Sequence, residues 1–261
     1  SVAEYAHAMA LTLACRIIPR DRMVKSGQWF FDGFHPGLWG RTAGIIGLGR
    51  IGGAMARRCV ASQMETLVYD PFASAEQIES LGARRVENLE DLFSQSDLIS
   101  VHAPSTPETR HLVNAERLAS MKPTAILINT SRGPVVDQAA LTESLRRGEI
   151  AGAGLDVVEQ EPLTSDNPLL KMDNVVATPH SARTTWDAWS RRPRPLRTTP
   201  ALMPGPPPSG PPRRPRPSRP RLHGPSTTLT RPIRPSASPA WRLPPPTRSV
   251  LPPSPRPPPP P

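Results

Sequence analysis

The sequence predicts an α/β fold built on a doubly wound parallel sheet, and three observations carry that prediction. Short apolar runs alternate with helix-period stretches from Thr42 to Ala177. A Gly-x-Gly-x-x-Gly string, Gly47 to Gly52, lies between the first run and the first helix that follows it. Each cluster of chemistry-bearing residues comes directly after an apolar run. In a parallel sheet those positions share one end, where a crevice opens for ligands.

Taken in order, Val2, Tyr5, Ala6, Met9, Leu13 and Ile17 recur at helical spacing. Residues 1–22 are therefore expected as one long amphipathic helix with Ser1 as its N-cap. Residues 28–40 are aromatic and glycine-rich without a regular period, which suits a loop wrapping over another surface. Strands are expected at 42–46, 66–69, 98–101, 125–129, 152–156 and 175–177, with helices at 51–61, 74–81 and 138–147 among them.

Composition divides the chain. Its net charge of +10 comes from the last 71 residues, 191–261, which hold 14 Arg, no acidic residue and 27 of the 37 prolines. The first 190 residues carry 18 Lys and Arg against 22 Asp and Glu, a mildly acidic balance, and are long enough to bury a core as one domain. The tail has too few apolar residues to offset the entropy of ordering, so disorder is expected from 191 onward. It also lacks Lys, Asn, Gln and Tyr, and is dominated by residue types whose codons have C or G in second position. That composition suggests a GC-rich coding region read in a shifted frame near Arg191. The rival is a proline-rich arm for RNA or SH3-type partners. Nucleic-acid binding is the weaker expectation, since it rests on the tail alone.

The apolar stretch 3–18 is broken by Glu4, His7 and Arg16 and shows no basic leader or cleavage site, so neither a membrane span nor a signal peptide is expected. Cys15 and Cys59 have no Cys or His partner at metal-ligand spacing. They are expected as reduced core thiols, in keeping with a cytoplasmic protein and no metal site.

In the glycine string, Gly47 permits the tight turn, Gly49 lets backbone approach a pyrophosphate, and Gly52 lets helix and strand pack closely. Asp70 ends the next strand roughly 20 residues on, where a carboxylate accepts from ribose hydroxyls and repels a 2'-phosphate. Pro71 and Phe72 beside it offer no guanidinium, so NAD is expected rather than NADP. Arg132, in Thr130-Ser-Arg-Gly-Pro134, is placed for a bidentate grip on a substrate carboxylate, with Thr130 and Ser131 facing the cofactor. Glu161 and His180 follow later strands and complete a set able to bind an acid and move a proton. Taken singly, Glu161 and Glu159 would both read as loop surface, but these groups leave strands of one sheet at the same end, whereas His102 and His111 are expected to be structural.

Residues 1 to about 190 resemble the cofactor-binding portion of the D-isomer-specific 2-hydroxyacid dehydrogenases. Gly47 to Gly52, Tyr69-Asp-Pro71, His102 to Arg110, Asn129 to Asp137, Gly154 to Pro162 and Thr178 to Ala182 occur in that family's order. The resemblance implies a Rossmann-type domain, with Arg132, Glu161 and His180 as catalytic residues. It implies nucleotide contacts from Arg50, Ile51, Asp70, Thr130, Ser131, Arg132 and Asp156, the last beside the nicotinamide carboxamide, with His180 at the same locus. It also implies a small 2-hydroxy or 2-keto acid substrate, and a homodimer formed through the first helix and the aromatic loop. Family members flank this domain with both halves of a substrate domain, whereas this sequence begins at the interdomain helix and loses the pattern near Trp189. The expected behaviour is therefore NAD binding with little turnover. Another implied reading is a non-catalytic NAD-sensing module like the C-terminal-binding-protein corepressors.

Overall fold

The computed structural model describes residues 1–184, so the expected domain limit at 190 and the tail over 191–261 lie outside the described residues. Its strands are β1 (Thr42–Ile46), β2 (Glu65–Tyr69), β3 (Arg84–Arg85), β4 (Leu98–Val101), β5 (Ile126–Asn129), β6 (Gly152–Leu155) and β7 (Val175–Ala177). They form one sheet in the order β3-β2-β1-β4-β5-β6-β7, with every pair parallel. The direction of winding reverses between β1 and β4, the place where such sheets open a crevice. The doubly wound parallel α/β expectation is borne out.

Alternating side chains serve two cores. Ala43 and Ile45 of β1, with Ile126 and Ile128 of β5, point to the face covered by α1 (Val2–Ala14), α3 (Arg50–Ala61) and, through Ile78, α4 (Ala75–Glu79). Ile46, Ile99, Val101 and Leu127 point to the other face, beneath α5 (Leu89–Gln95), α6 (Ala115–Ser120) and α7 (Gln138–Arg147). Near-continuous burial along β1, β4, β5 and β6 follows from being covered on both sides.

The first helix is not continuous, contrary to the expectation for 1–22. It stops at Ala14, and a second helix, α2 (Ile17–Lys25), starts after Arg16, whose φ of 54° is left-handed. Pro19 gives the reason: inside a single helix its missing N–H would break the ladder, but in the first turn of α2 that N–H has no partner to lose. Ser1 occupies the N-cap position as expected, without a side-chain hydrogen bond. Cys15 sits half-buried at this break rather than in the core, while Cys59 is fully buried and burial pushes its thiol up to about 12. Residues 28–40 contain no helix or strand and are tied back by an ion pair between Arg20 and Asp32, 2.8 Å apart. Among the described residues no helix is long and apolar enough to cross a membrane.

Candidate active site

All the expected site residues leave strands at the same end of the sheet. The turn after β1 begins at Gly47, whose φ of +90° belongs to glycine and whose amide donates to the Tyr69 carbonyl at 2.9 Å. A Cβ at Gly52 would penetrate the Gly47 carbonyl, so that glycine is demanded by helix-on-turn packing. Gly49 is different: its backbone is ordinary, and a Cβ there would meet nothing within 4 Å. The protein itself does not require glycine at that position, which leaves close approach by a ligand as the role that explains it. Gly49 is also the N-cap of α3 and supplies no side-chain cap, so the positive end of the helix is presented to the crevice, with Arg50 and Ile51 exposed beside it.

Asp70 closes the other side of this turn. Its Oδ2 accepts from the Leu48 amide at 2.6 Å, and its Oδ1 accepts from the amides of Phe72 and Ala73 at 2.8 and 3.0 Å. The carboxylate thus shapes both the glycine turn and the Asp-Pro turn while standing at the end of β2, the ribose position of a dinucleotide.

After β5 the loop is ordered by Asn129, a residue that sequence reasoning did not single out. Fully buried, it accepts from the amide and hydroxyl of Ser131 at 3.0 and 2.9 Å and donates to the Arg132 carbonyl at 3.0 Å. Thr130 is buried and its Oγ1 has no hydrogen-bond partner. An orphaned hydroxyl beside the crevice is costly unless a ligand meets it, so this position too fits a bound dinucleotide. The Arg132 side chain is exposed, its guanidinium donating to the Ser131 carbonyl at 2.6 Å and otherwise facing solvent.

The last two strands bring Glu161 and His180 together. Glu161 Oε2 lies 2.8 Å from His180 Nδ1, and Glu161 Oε1 accepts from the Val158 amide at 3.3 Å. An ionised carboxylate can only accept, so His180 donates from Nδ1 and its Nε2 is left for other chemistry. His180 adopts a left-handed φ of 51°, held by its amide donating to the carbonyls of Asp156 and Thr178. Asp156 is fully buried, and its carboxylate accepts from Thr178 Oγ1 at 2.6 Å, the Ser181 amide at 2.8 Å and the Ala182 amide at 2.9 Å. Its work in this structure is to fasten the whole His180 loop to β6. The sequence offered one sign of this, an acidic residue directly after β6, but the partners lie more than twenty residues away. A cavity of about 620 Å³ opens beside the pair, walled by Leu155, Leu163, Leu170 and Pro179.

His102 and His111 take no part in that pair. His102 Nε2 is 2.9 Å from Ser100 Oγ, and burial pushes the imidazole down to about 4. His111 meets Glu159 instead, at 2.6 Å.

The model of the D-isomer specific 2-hydroxyacid dehydrogenase NAD binding domain matches residues 7–182. The chain belongs to that family. Its matched region is the family's NAD-binding domain, in agreement with the cofactor expected from Asp70. The chain is 46% identical over 197 residues to a glyoxylate reductase of Korarchaeum cryptofilum, covering 73% of this chain and 59% of that one. It is 47% identical over 191 residues to a D-3-phosphoglycerate dehydrogenase of Archaeoglobus fulgidus, covering 72% and 36%. The D-lactate dehydrogenase of Aquifex aeolicus, solved with NAD and lactic acid, superposes with a TM-score of 0.68 at 37% identity, covering 73% of this chain and 62% of that one. The chain therefore spans about three fifths or less of the curated relatives' length. By name these relatives are a reductase and two dehydrogenases, and the Aquifex aeolicus enzyme, solved with NAD, shares the fold described above.

Proposed function

We propose that the chain is the cofactor-binding half of a D-2-hydroxyacid dehydrogenase acting on a small 2-hydroxy acid and its 2-keto acid. The observation that carries this reading is the Glu161–His180 hydrogen bond at 2.8 Å, standing at the same sheet end as Arg132. The glyoxylate reductase and D-lactate dehydrogenase relatives are named for acids of that class.

The glycine turn, the uncapped start of α3, Asp70 and Thr130 would hold NAD, which supplies the hydride acceptor when bound. Arg132 grips the substrate carboxylate through its planar donors and polarises the neighbouring oxygen. His180 Nε2 takes the hydroxyl proton in oxidation and returns it in reduction, while Glu161 fixes the Nδ1–H tautomer and balances the positive imidazole. Ser131, Arg50 and Ile51 line the cofactor side, and Asp156 acts there by holding the His180 loop.

Among the described residues nothing covers Arg132, Glu161 or His180, which stand open to solvent. Hydride transfer calls for exclusion of water, so the chain is expected to bind NADH yet turn over little. Trp29, Phe30, Phe31 and Trp39 are exposed on one loop, and their area supports the proposal of a homodimer through that surface. Sedimentation at micromolar concentration checks the dimer, and a monomer counts against it.

Fluorescence titration with NADH and NADPH tests the cofactor reading. NADH should bind more tightly, and Asp70→Ala should weaken it in protein that still melts cooperatively. Preference for NADPH, or a variant indifferent to the loss of Asp70, overturns it.

A further inference from the structure

Among the described residues, a second group of chemistry-bearing side chains joins three segments that follow β4, β5 and β6. His111, at a left-handed φ of 49°, donates its amide to the Pro134 carbonyl at 2.9 Å and brings Nε2 to 2.6 Å from Glu159 Oε1. Glu159 is acceptor-only when ionised, so the imidazole is the donor. The second oxygen, Glu159 Oε2, accepts from the Gln138 amide at 3.3 Å, and the Glu159 amide donates to Gln138 Oε1 at 3.2 Å. Asp137 Oδ2 stands 3.7 Å from His111 Nδ1, and an Arg110 nitrogen 4.0 Å from Glu159 Oε1. Directly beneath, Gly133 is pressed against the backbone of Val158 and Glu159 so closely that a Cβ would penetrate the Val158 carbonyl.

The cluster thus lies between the two groups on which the proposed chemistry depends. Arg132 immediately precedes Gly133, and Glu161 is two residues past Glu159. The Val158 amide, on the same tethered turn, is also the second donor to the Glu161 carboxylate. We propose that His111 and Glu159 form a positioning clamp, which holds the turn from Val158 to Glu161 so that the Glu161 carboxylate stays on His180 Nδ1. Neither residue touches substrate or cofactor in this role. The inference rests on the reading of Glu161 and His180 as the acid–base pair, and its test separates the two.

The readout is the His180 tautomer, seen in ¹⁵N spectra of the full chain labelled at histidine, in alkaline solution where imidazoles are neutral. A spectrum of His180→Gln identifies the signals. In the parent chain the Nδ1–H tautomer should dominate, and Glu161→Ala should abolish that dominance. A Glu161→Ala spectrum like the parent's sinks the acid–base reading itself.

With that settled, His111→Ala should lower the ratio of Nδ1–H to Nε2–H tautomer several-fold, whereas His111→Gln should preserve it because its amide can still donate to Glu159. Both replacements carry the same cost of a left-handed backbone, so a merely structural role moves them together. His111→Ala added to Glu161→Ala should change the tautomer no further than Glu161→Ala alone. An unchanged tautomer in His111→Ala, an equal loss in His111→Gln, or an added change in the double variant overturns the clamp. Should His111→Ala fail to fold, Glu159→Ala is read by the same criterion, and an unchanged tautomer there overturns it too.

Discussion

A methyl group added at Gly52 and one added at Gly49 would meet different fates. At Gly52 it collides with the Gly47 carbonyl, and strand and helix must separate to admit it. Gly52→Ala is expected to cost about 3 kcal/mol of stability or more, read from the urea midpoint. At Gly49 the space is open and φ is −68°, so Gly49→Ala should change stability by less than about 1 kcal/mol. The same variant should weaken NADH roughly tenfold or more, since about 1.4 kcal/mol of lost backbone approach suffices for that factor. Loss of folding in Gly49→Ala, or undiminished NADH binding, contradicts the assignment. At this scale the sequence revealed the groups that follow strands, Arg132, Glu161 and His180, because one rule of topology places them together. It did not reveal what holds them. Asn129 works through its own loop, Asp156 through amides more than twenty residues away, and His111 through a carboxylate 48 residues on. Such pairings leave no periodicity behind.

Among elements, β1 and β4 were legible to the residue, because each is a short apolar run covered on both faces. β3 was not: Arg84–Arg85 is a two-residue edge strand of charged side chains and lacks any apolar run. The short helices α5 and α6 were likewise not located. Each is capped by an asparagine, Asn88 and Asn114, whose Oδ1 accepts from the amide three residues on, and each shows too few turns for a period to emerge. One side chain registers three strands at the opposite end from the site. Asp97 accepts from the Thr42 amide at 3.0 Å, from Arg41 at 3.2 Å and from Lys122 at 3.1 Å. Burial draws its carboxyl upward, but the Thr42 amide, Lys122 and Arg41 outweigh that and hold it below the ordinary carboxylate value. Asp97→Ala leaves those donors without their shared acceptor and is expected to destabilise the chain by about 2–4 kcal/mol. NADH affinity, measured where the variant is fully folded, should stay within about twofold of the parent, because the crevice lies at the far end of the strands.

Across the whole molecule, acid sensitivity should begin with histidine. His102 is held down at about 4 by burial against an ordinary value of 6.5, and His7 is lowered as well, by burial and then by Arg58. Between those limits the unfolded chain binds more protons than the folded one, so stability is complete above pH 6.5 and is lost as the pH falls toward 4. His102 alone contributes about 3 kcal/mol to that loss, while carboxylates such as Asp97 add theirs only below 3.8. Urea midpoints at successive pH values check this, and His102→Gln, which has no proton to gain, should flatten the decline. A parent chain equally stable at both ends of that interval would contradict it. The parallel sheet carries a consequence for biogenesis. No adjacent strands are joined by a tight turn, and β1 cannot meet β4 until β2 and β3 have been passed, with Ala43 finding Leu98. Contacts so distant in sequence close slowly, and strand edges wait unpaired in the meantime. The crevice between β1 and β4 comes into being only when those two strands pair, so the nucleotide is expected to stabilise a sheet already paired there rather than to guide that pairing.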